Sequence, residues 1–488
     1  MTLKTGKEYI ASVAVLGLTA NVLGRSSGDL TGHPLVAPSL RAVAMTYDCA
    51  HADQSRSLFR ATSSLTGEEI NRFTHLHQST GDLVHKVMMQ RHCGNLTGCC
   101  FQRCVGMDAA NAVFSVTYET DLATESGTEY HRRFREYWAW VQAEDLTVDG
   151  AMTDPKGDRS RRPSQQTDPD LYLRIVERRH DGVVVRGAKF HQTGMLNAHE
   201  IVIMPTVGLG PGEEDWAICC ALPTGTPGIH YIYGRQASDT RKLEGNSLDV
   251  GNPSFGGQEV LTVFDNVFVP AERIFLNGEV DHCAKLVERF AAYHRQSYGG
   301  CKVGVGDVLI GATALIARMN GVDRASHVRD KIVEMIHLNE TMFACGIACS
   351  ARGMPMPAGN YLVDLLLANV CKLNVTRFPY EMARLATDVA GGLLGTLPSA
   401  QELDDPLTGP YVRKYLAAAE GVDPTDRVRV LRLIENLVVG AGAVAYLIES
   451  MHGAGSPMAQ RIVIGRQADV EGKVELACKL LGIQRGRK

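Results

Sequence analysis

Tyr293-His-Arg-Gln-Ser-Tyr-Gly-Gly-Cys-Lys302 brings His294, Tyr298, Cys301 and Lys302 together in one short stretch. In a helix, His294, Tyr298 and Cys301 stand at i, i+4 and i+7, on one face over two turns. That face carries a ligand nitrogen, a phenol and a thiol. A surface helix has no use for it, and a plain core helix fills the same positions with Leu and Ile. A second stretch answers it. Cys100-Phe-Gln-Arg-Cys104, followed by an Ala-rich apolar run through Phe114, is expected to set two thiols at i and i+4 of another helix. Three cysteines and one histidine could then ligate one metal centre, with the rest of the chain as scaffold, second cofactor and substrate pocket. The competing reading is a set of coincidental core thiols.

The chain has 488 residues, of which 45% are hydrophobic, and a net charge of −4. That length allows roughly two or three domains and a large buried core. No basic excess points to nucleic acid. Apolar stretches such as residues 437–448 read as too short and too Gly-broken to span a membrane. The N-terminus lacks a charged-then-apolar signal layout, so the expected location is cytoplasmic. The 13 cysteines are an odd number; with no secretory signal, they argue against a disulfide framework. Cys219, Cys220, Cys345, Cys349 and Cys371 read as small buried hydrophobes.

Texture divides the chain in three. Residues 1–149 read as an N-terminal helical domain, with helices over 48–90 broken near 63–67, then over 97–114 and 129–142. A turn-rich polar loop, Gly150-Ala-Met-Thr-Asp-Pro-Lys-Gly-Asp-Arg-Ser160, opens a β domain at 150–278. Its short alternating runs at 171–177, 182–191, 200–206, 216–222, 229–233 and 259–269 fit an antiparallel barrel or sandwich. Helical periodicity returns in 279–488, over 281–296, 302–319, 325–352, 361–388 and 427–451, as in a bundle. This α+β order of helix, sheet, helix is the layout of acyl-CoA dehydrogenase-like flavoproteins. No GxGxxG follows a strand, which disfavours a Rossmann site.

Cys-x3-Cys matches no common zinc knuckle, whereas closely spaced cysteines also serve iron–sulfur clusters. Three thiolates and one imidazole would leave one labile corner, whose iron could act as a Lewis acid toward a substrate oxygen. Cys99 confuses the register, because Cys99 and Cys104 are i and i+5. Helical geometry favours Cys100, and Cys93 is a spare ahead of the helix.

Four segments carry a resemblance over essentially the whole chain: Cys100-Phe-Gln-Arg-Cys-Val-Gly-Met-Asp-Ala109, His191-Gln-Thr-Gly194, His294-x6-Cys301-Lys302 and Glu449-Ser-Met-His-Gly-Ala-Gly-Ser-Pro457. Together they resemble the 4-hydroxybutyryl-CoA dehydratase/vinylacetyl-CoA Δ-isomerase family. The wider superfamily of flavin-dependent 4-hydroxyphenylacetate 3-monooxygenases shares the Asp154-Pro-Lys-Gly-Asp-Arg-Ser160 loop. The resemblance implies a homotetramer (a dimer of dimers) that takes an acyl-CoA substrate, with FAD and a 4Fe–4S cluster in each subunit. It implies radical dehydration of 4-hydroxybutyryl-CoA to crotonyl-CoA, with FAD as one-electron carrier, and isomerisation of vinylacetyl-CoA. The implied cluster ligands are Cys100, Cys104, His294 and Cys301.

Residue chemistry suggests roles beside that resemblance. His294 is a candidate base for the C2 proton, and Tyr298 for proton donation to the departing hydroxyl. Lys302 would hold charge near the cluster. Glu449, before a run of small residues, and Glu259 are candidate acid–base carboxylates. Thr193 would hydrogen-bond flavin N5 or the substrate. For FAD, two segments offer backbone donors: 152–158, with Met152, Thr153 and Asp158, and Gly391-Gly-Leu-Leu-Gly-Thr-Leu-Pro-Ser399, with Gly391, Gly392 and Thr396. Arg159, Arg161 and Arg162 could meet phosphate groups of FAD or CoA. The nearest rival is a cluster-free flavin monooxygenase of the 4-hydroxyphenylacetate type; a non-catalytic electron carrier is the second.

Overall fold

The stretch around His294 folds into a single 40-residue helix, Val280–Met319, rather than the two expected over 281–296 and 302–319. The glycines in the middle stay helical because neighbours need their bare backbone. A Cβ at Gly300 would lie 2.4 Å from the carbonyl oxygen of Val87, and one at Gly299 would lie 2.7 Å from Cα of Gly346. The helices Thr80–Thr97 and Ser326–Ala351 therefore reach the long helix at near backbone contact. The computed structural model describes residues 3–124 and 127–483.

Two sheets pack face to face in the middle of the chain. The larger runs in the order Arg25–Ser27, Ala20–Val22, Ile229–Gly234, Glu259–Pro270, Gly182–Thr193, Arg174–Arg179. The smaller runs Ile274–Asn277, Ile218–Pro223, Glu200–Ile203, Val148–Ala151. Alternating residues from both sheets, among them Val183, Val185, Ile201, Ile203, Cys220, Leu222 and Phe264, share one core. The other face of the smaller sheet packs on the helices Cys104–Ala123 and Tyr130–Ala143 through Ala109, Val113, Phe134, Trp138, Val202 and Phe275. A third core joins the long helix to Ser326–Ala351, Phe378–Ala390 and Pro424–Val438.

Several elements differ from expectation. The segment 60–71 forms a small hairpin, Arg60–Thr62 with Glu69–Asn71, within the stretch read as helical. The helix expected over 361–388 is two, Leu365–Val375 and Phe378–Ala390, parted just before Pro379, where a helix cannot accept a ring on its backbone nitrogen. Two helices, Val280–Met319 and Ser326–Ala351, are long and apolar enough to cross a membrane, against the sequence reading; core helices of soluble proteins pass the same test, and 67% of the apolar window in the first is buried within the fold.

Candidate functional site

Helix crossing sets Cys301 against the helix that leads into the other cysteines. A Cβ at Gly94 would lie 2.8 Å from the carbonyl oxygen of Cys301, so the helix Thr80–Thr97 crosses the long helix at that cysteine. Gly98, at φ 57°, caps it in the left-handed region. The chain then runs through Cys99 and Cys100 as a loop, and the next helix starts at Cys104. Cys100 and Cys104 are thus not a helical i, i+4 pair. Gln102, with φ 55°, breaks any helix between them. The Arg103 guanidinium, stacked over Tyr47 and Phe73 at 4.1 and 4.6 Å, pins the loop.

His294, Tyr298 and Cys301 share the helix face expected of them. The Tyr298 hydroxyl lies 3.4 Å from Nε2 of His294, and the rings meet edge-on. Ligand atoms of Cys104, Asp108 and His294 all lie within 4.8 Å of one another. Cys100, Cys104 and Cys301 are buried. Burial raises the pKa of all three thiols, and Cys104 and Cys301 lie in one buried core. Buried thiols without a partner cation resist becoming thiolates. A soft cation reverses the balance, because a coordinating thiol is deprotonated outright. The donor set of three thiols and an imidazole suits iron–sulfur or zinc chemistry.

A second group faces this one. Thr193 and Glu259 are cross-strand partners, and the Thr193 hydroxyl contacts both carboxylate oxygens of Glu259, at 2.8 and 2.7 Å. Burial first, and then the charge of Glu449, hold Glu259 well above the ordinary carboxylate value, against the Thr193 hydrogen bond that lowers it. Glu449 follows a π turn, Val444–Ile448, a distortion that recurs at functional sites. Its Oε2 accepts from Lys302 Nζ at 2.6 Å, and its buried Oε1 has no partner. Lys302 also donates to the carbonyl oxygen of Ala445. Burial alone would lower Lys302; the charges of Glu449, Cys301 and Cys100 outweigh it and keep the amine protonated. Gly453 leaves room for Tyr298: a Cβ there would lie 2.0 Å from the phenol oxygen.

The loop 152–158 is tied to the sheet beside this group. Lys189, buried, donates to the carbonyl oxygens of Met152 and Met204 at 2.9 and 2.8 Å and pairs with Asp154 at 2.8 Å. The amide of Phe190 donates to the carbonyl oxygen of Thr153. Asp158 is exposed and caps its own turn through Ser160. Arg161 pairs with Asp158, and Arg162 with Glu213. Gly391, Gly392 and Thr396 lie exposed beyond the helix Phe378–Ala390, with open space beside both glycines.

Sequence reasoning missed four neighbours of this site. Asp108 accepts from Nδ1 of His294 at 2.8 Å; a lone Asp in an Ala-rich apolar run was its signal. Lys86 pairs with Asp108. Gln102 joins the cysteine loop to the sheet, accepting from Asn197 at 2.6 Å and donating to the carbonyl oxygen of Gln258. Lys372 sits 4.1 Å from the Tyr298 ring and donates to the carbonyl oxygens of Glu449 and Ser450. Burial, and then the charge of Lys302, push Lys372 well below the usual lysine value.

Known proteins share this arrangement of chain. Residues 5–276 match the family model 4-hydroxyphenylacetate 3-hydroxylase N terminal, and residues 283–482 match 4-hydroxyphenylacetate 3-hydroxylase C terminal. The 4-hydroxybutyryl-CoA dehydratase/vinylacetyl-CoA-Δ-isomerase of Clostridium aminobutyricum is 56% identical over 99% of this chain and 100% of its own. The solved oxygen-tolerant archaeal 4-hydroxybutyryl-CoA dehydratase from N. maritimus superposes with a TM-score of 0.97 at 52% identity, covering 100% of this chain and 96% of the other. The oxygenase component of 4-hydroxyphenylacetate 3-monooxygenase, solved with FAD, has a TM-score of 0.85 at 25% identity, covering 98% of each chain.

Proposed function

The chain belongs to the 4-hydroxyphenylacetate 3-hydroxylase family, in its 4-hydroxybutyryl-CoA dehydratase/vinylacetyl-CoA-Δ-isomerase branch, and from that premise we propose how its residues work. It is a lyase and an isomerase. It converts 4-hydroxybutyryl-CoA to crotonyl-CoA and water, and vinylacetyl-CoA to crotonyl-CoA. Cys100, Cys104, Cys301 and His294 hold a 4Fe–4S cluster. Met152 and Thr153 of the 152–158 loop, with Thr193, would hold FAD; the FAD-bound structure of the related oxygenase supports the flavin. Gly391, Gly392 and Thr396 serve the flavin only as an outer segment, and Asp158 acts through the loop's shape. The enzyme works as a cytoplasmic homotetramer with three functional layers, at 1–149, 150–278 and 279–488.

When bound, the cluster supplies Lewis acidity toward the C4 hydroxyl and the flavin supplies one-electron exchange. The chain's own residues handle the protons. Oε1 of Glu449 has no partner, its Oε2 being engaged by Lys302, and Nε2 of His294, whose Nδ1 is engaged by Asp108, meets the Tyr298 hydroxyl at a long 3.4 Å. The thioester acidifies the C2 proton, and His294 would take it through Nε2 once that nitrogen is free of the cluster. Glu449 takes the far less acidic C3 proton, with Lys302 offsetting the negative charge nearby. Tyr298, 3.4 Å from His294, hands a proton to the leaving hydroxyl. Glu259, whose burial favours its protonated form and which Thr193 braces, would donate a hydrogen bond to the thioester oxygen or return a proton to the product.

The observation that carries this reading is buried Cys104 within 4.8 Å of His294, with Cys301 in the same core and on the helix that carries His294. A cluster-free monooxygenase gives those thiols no task. Anaerobic purification with iron, sulfide and flavin analysis tests it, the same sample being assayed on both acyl-CoA substrates. About four irons per chain, with flavin and crotonyl-CoA formed, supports the reading. Flavin without iron, together with phenol hydroxylation, sinks it.

A further inference from the structure

The cysteine helix carries a buried carboxylate that no step above consumes. Asp108 stands one turn after Cys104, and its side chain is fully buried. Its Oδ2 accepts from Nδ1 of His294 at 2.8 Å and lies 3.0 Å from Oγ of Ser297. Its Oδ1 accepts from Nζ of Lys86 at 2.5 Å. Lys86 is fully buried too, and its amine donates further to the carbonyl oxygen of Tyr293 and to Oε1 of Gln296, both at 2.9 Å. Every donor of the ammonium is therefore matched. The imidazole is held on its flat side as well, stacked on Phe290 with centroids 5.6 Å apart.

Such a pair is a poor way to gain stability. Taking both charges out of water costs several kcal/mol per ion, and apolar residues of like size often serve as well or better. Its use lies in what it does to the ring. A carboxylate facing Nδ1 makes that nitrogen the N–H and leaves the lone pair on Nε2. Partners of this kind orient metal-binding histidines and raise their basicity. Without one, the ring can turn, or take the other tautomer and donate from Nε2 to the Tyr298 oxygen. Asp108 and Cys104 share one helix four residues apart, so the same rigid element aims a ligand thiol and the carboxylate that aims the ligand imidazole.

We propose that the buried Asp108–Lys86 pair is the positioning device for His294, fixing its Nδ1–H tautomer and ring direction so that Nε2 remains available as the cluster's nitrogen ligand. This rests on the reading of His294 as that ligand. Lys86 has a specific part in it. Because it donates to Oδ1, an Asn at 108 would keep its amide oxygen toward Lys86 and turn its NH2 toward Nδ1, which selects the wrong tautomer. The effect parallels the tautomer error known for an Asp-to-Asn change in a Ser-His-Asp triad. Removing Lys86 as well frees the amide to turn and present its oxygen to Nδ1–H.

The test compares Asp108→Asn, Asp108→Asn with Lys86→Met, Asp108→Leu with Lys86→Met, and His294→Ala, each purified anaerobically as the flavin- and iron-loaded enzyme. Iron per chain is followed during exposure to a chelator, with electron paramagnetic resonance reporting any three-iron cluster. In Asp108→Asn, one iron per chain is expected to leave about 10- to 100-fold faster than in wild type. A three-iron species should remain, as in His294→Ala, with flavin content unchanged. The Asn/Met double variant is expected to return toward the wild-type rate, and the Leu/Met variant to stay fast. Should Asp108→Asn not accumulate, the contrast between the two double variants decides alone. A wild-type loss rate in Asp108→Asn, or equal rates in the two double variants, overturns the proposal. Wild-type protein that takes up no cluster, or His294→Ala that keeps its fourth iron, overturns the ligand reading itself and is told apart on that ground.

Discussion

Glu449 has one oxygen tied to Lys302 and one with no partner, which is the state a base needs. Glu449→Gln keeps an oxygen for the Lys302 ammonium and removes the basic lone pair. Turnover of 4-hydroxybutyryl-CoA is expected to fall about 10²- to 10⁴-fold, while iron content, flavin content and melting temperature hold. A matching loss of iron or fold would mark Glu449 as structural instead. Asp149 makes a different prediction. It is buried in the strand Val148–Ala151 with no cation beside it; its Oδ1 takes the Gly150 amide and its Oδ2 has no partner. Burial raises it from 3.8 to about 7, against the opposing Gly150 hydrogen bond. Its folded value lies above its unfolded one, so its contribution is fully present below about pH 4 and lost as pH rises through about 7. At about 1.4 kcal/mol per pH unit, that window is worth on the order of 4 kcal/mol. Asp149→Asn keeps the Gly150 acceptor. Its melting temperature should match wild type near pH 4 and exceed it at pH 8; equal curves at both would show that Asp149 ionises freely. Most site side chains were legible singly, because His, Tyr, Cys and Lys at helical spacing, or Glu before a Gly-rich turn, have chemistry visible in the sequence. Asp108 was legible only as a lone Asp in an apolar run and Lys86 not at all, since the partners that define them lie 22 or 186 positions away.

Elements were legible where the period was long and illegible where one residue decided. The strand Glu259–Pro270 falls within a residue of its expected bounds, because alternation over many residues leaves little choice of face. The expected helix over 97–114 starts seven residues late, at Cys104. The reason is Gln102 at φ 55°, a backbone state that a non-Gly side chain does not announce. The strands Ala20–Val22 and Arg25–Ser27 were missed because three residues carry no period. Glycines in the long helix allow a sharper test. A Cβ at Gly304 would lie 2.2 Å from the carbonyl oxygen of Arg91 and 2.8 Å from Cα of Gly94, both backbone atoms that cannot yield. Gly311, in the same helix, has nothing within 4 Å. Gly304→Ala should therefore cost about 1–3 kcal/mol of stability and disturb the cysteine loop that follows Thr97. Gly311→Ala should be neutral or gain about 0.5–1 kcal/mol. Thermal melting of the two variants, with iron content alongside, checks the pair; equal behaviour would mean the helices are free to separate.

At the scale of the whole molecule, the site is assembled from three sources. The cysteine loop and the long helix contribute the soft donors, the paired strands contribute Thr193 and Glu259, and the segment after the π turn contributes Glu449. The flavin loop hangs on Lys189, which sits on the same strand as Thr193 but shares no hydrogen-bond partner with the cysteines: it binds Met152, Met204 and Asp154. Separate anchors imply that the two cofactors can be lost separately. Lys189→Met alone would strand the buried Asp154 carboxylate at a cost of about 3–5 kcal/mol, so the informative variant is Lys189→Met with Asp154→Asn, which removes both charges. That variant should fold and keep its iron, but its FAD should wash out on gel filtration, with affinity at least about tenfold weaker, because the Met152–Thr153 main chain is no longer fixed before the cofactor arrives. Cys104→Ser should show the reverse, with iron lost and flavin kept. If both variants lose both cofactors together, the sheet and the helical layers act as one cooperative unit and the two sites cannot be assigned to separate anchors.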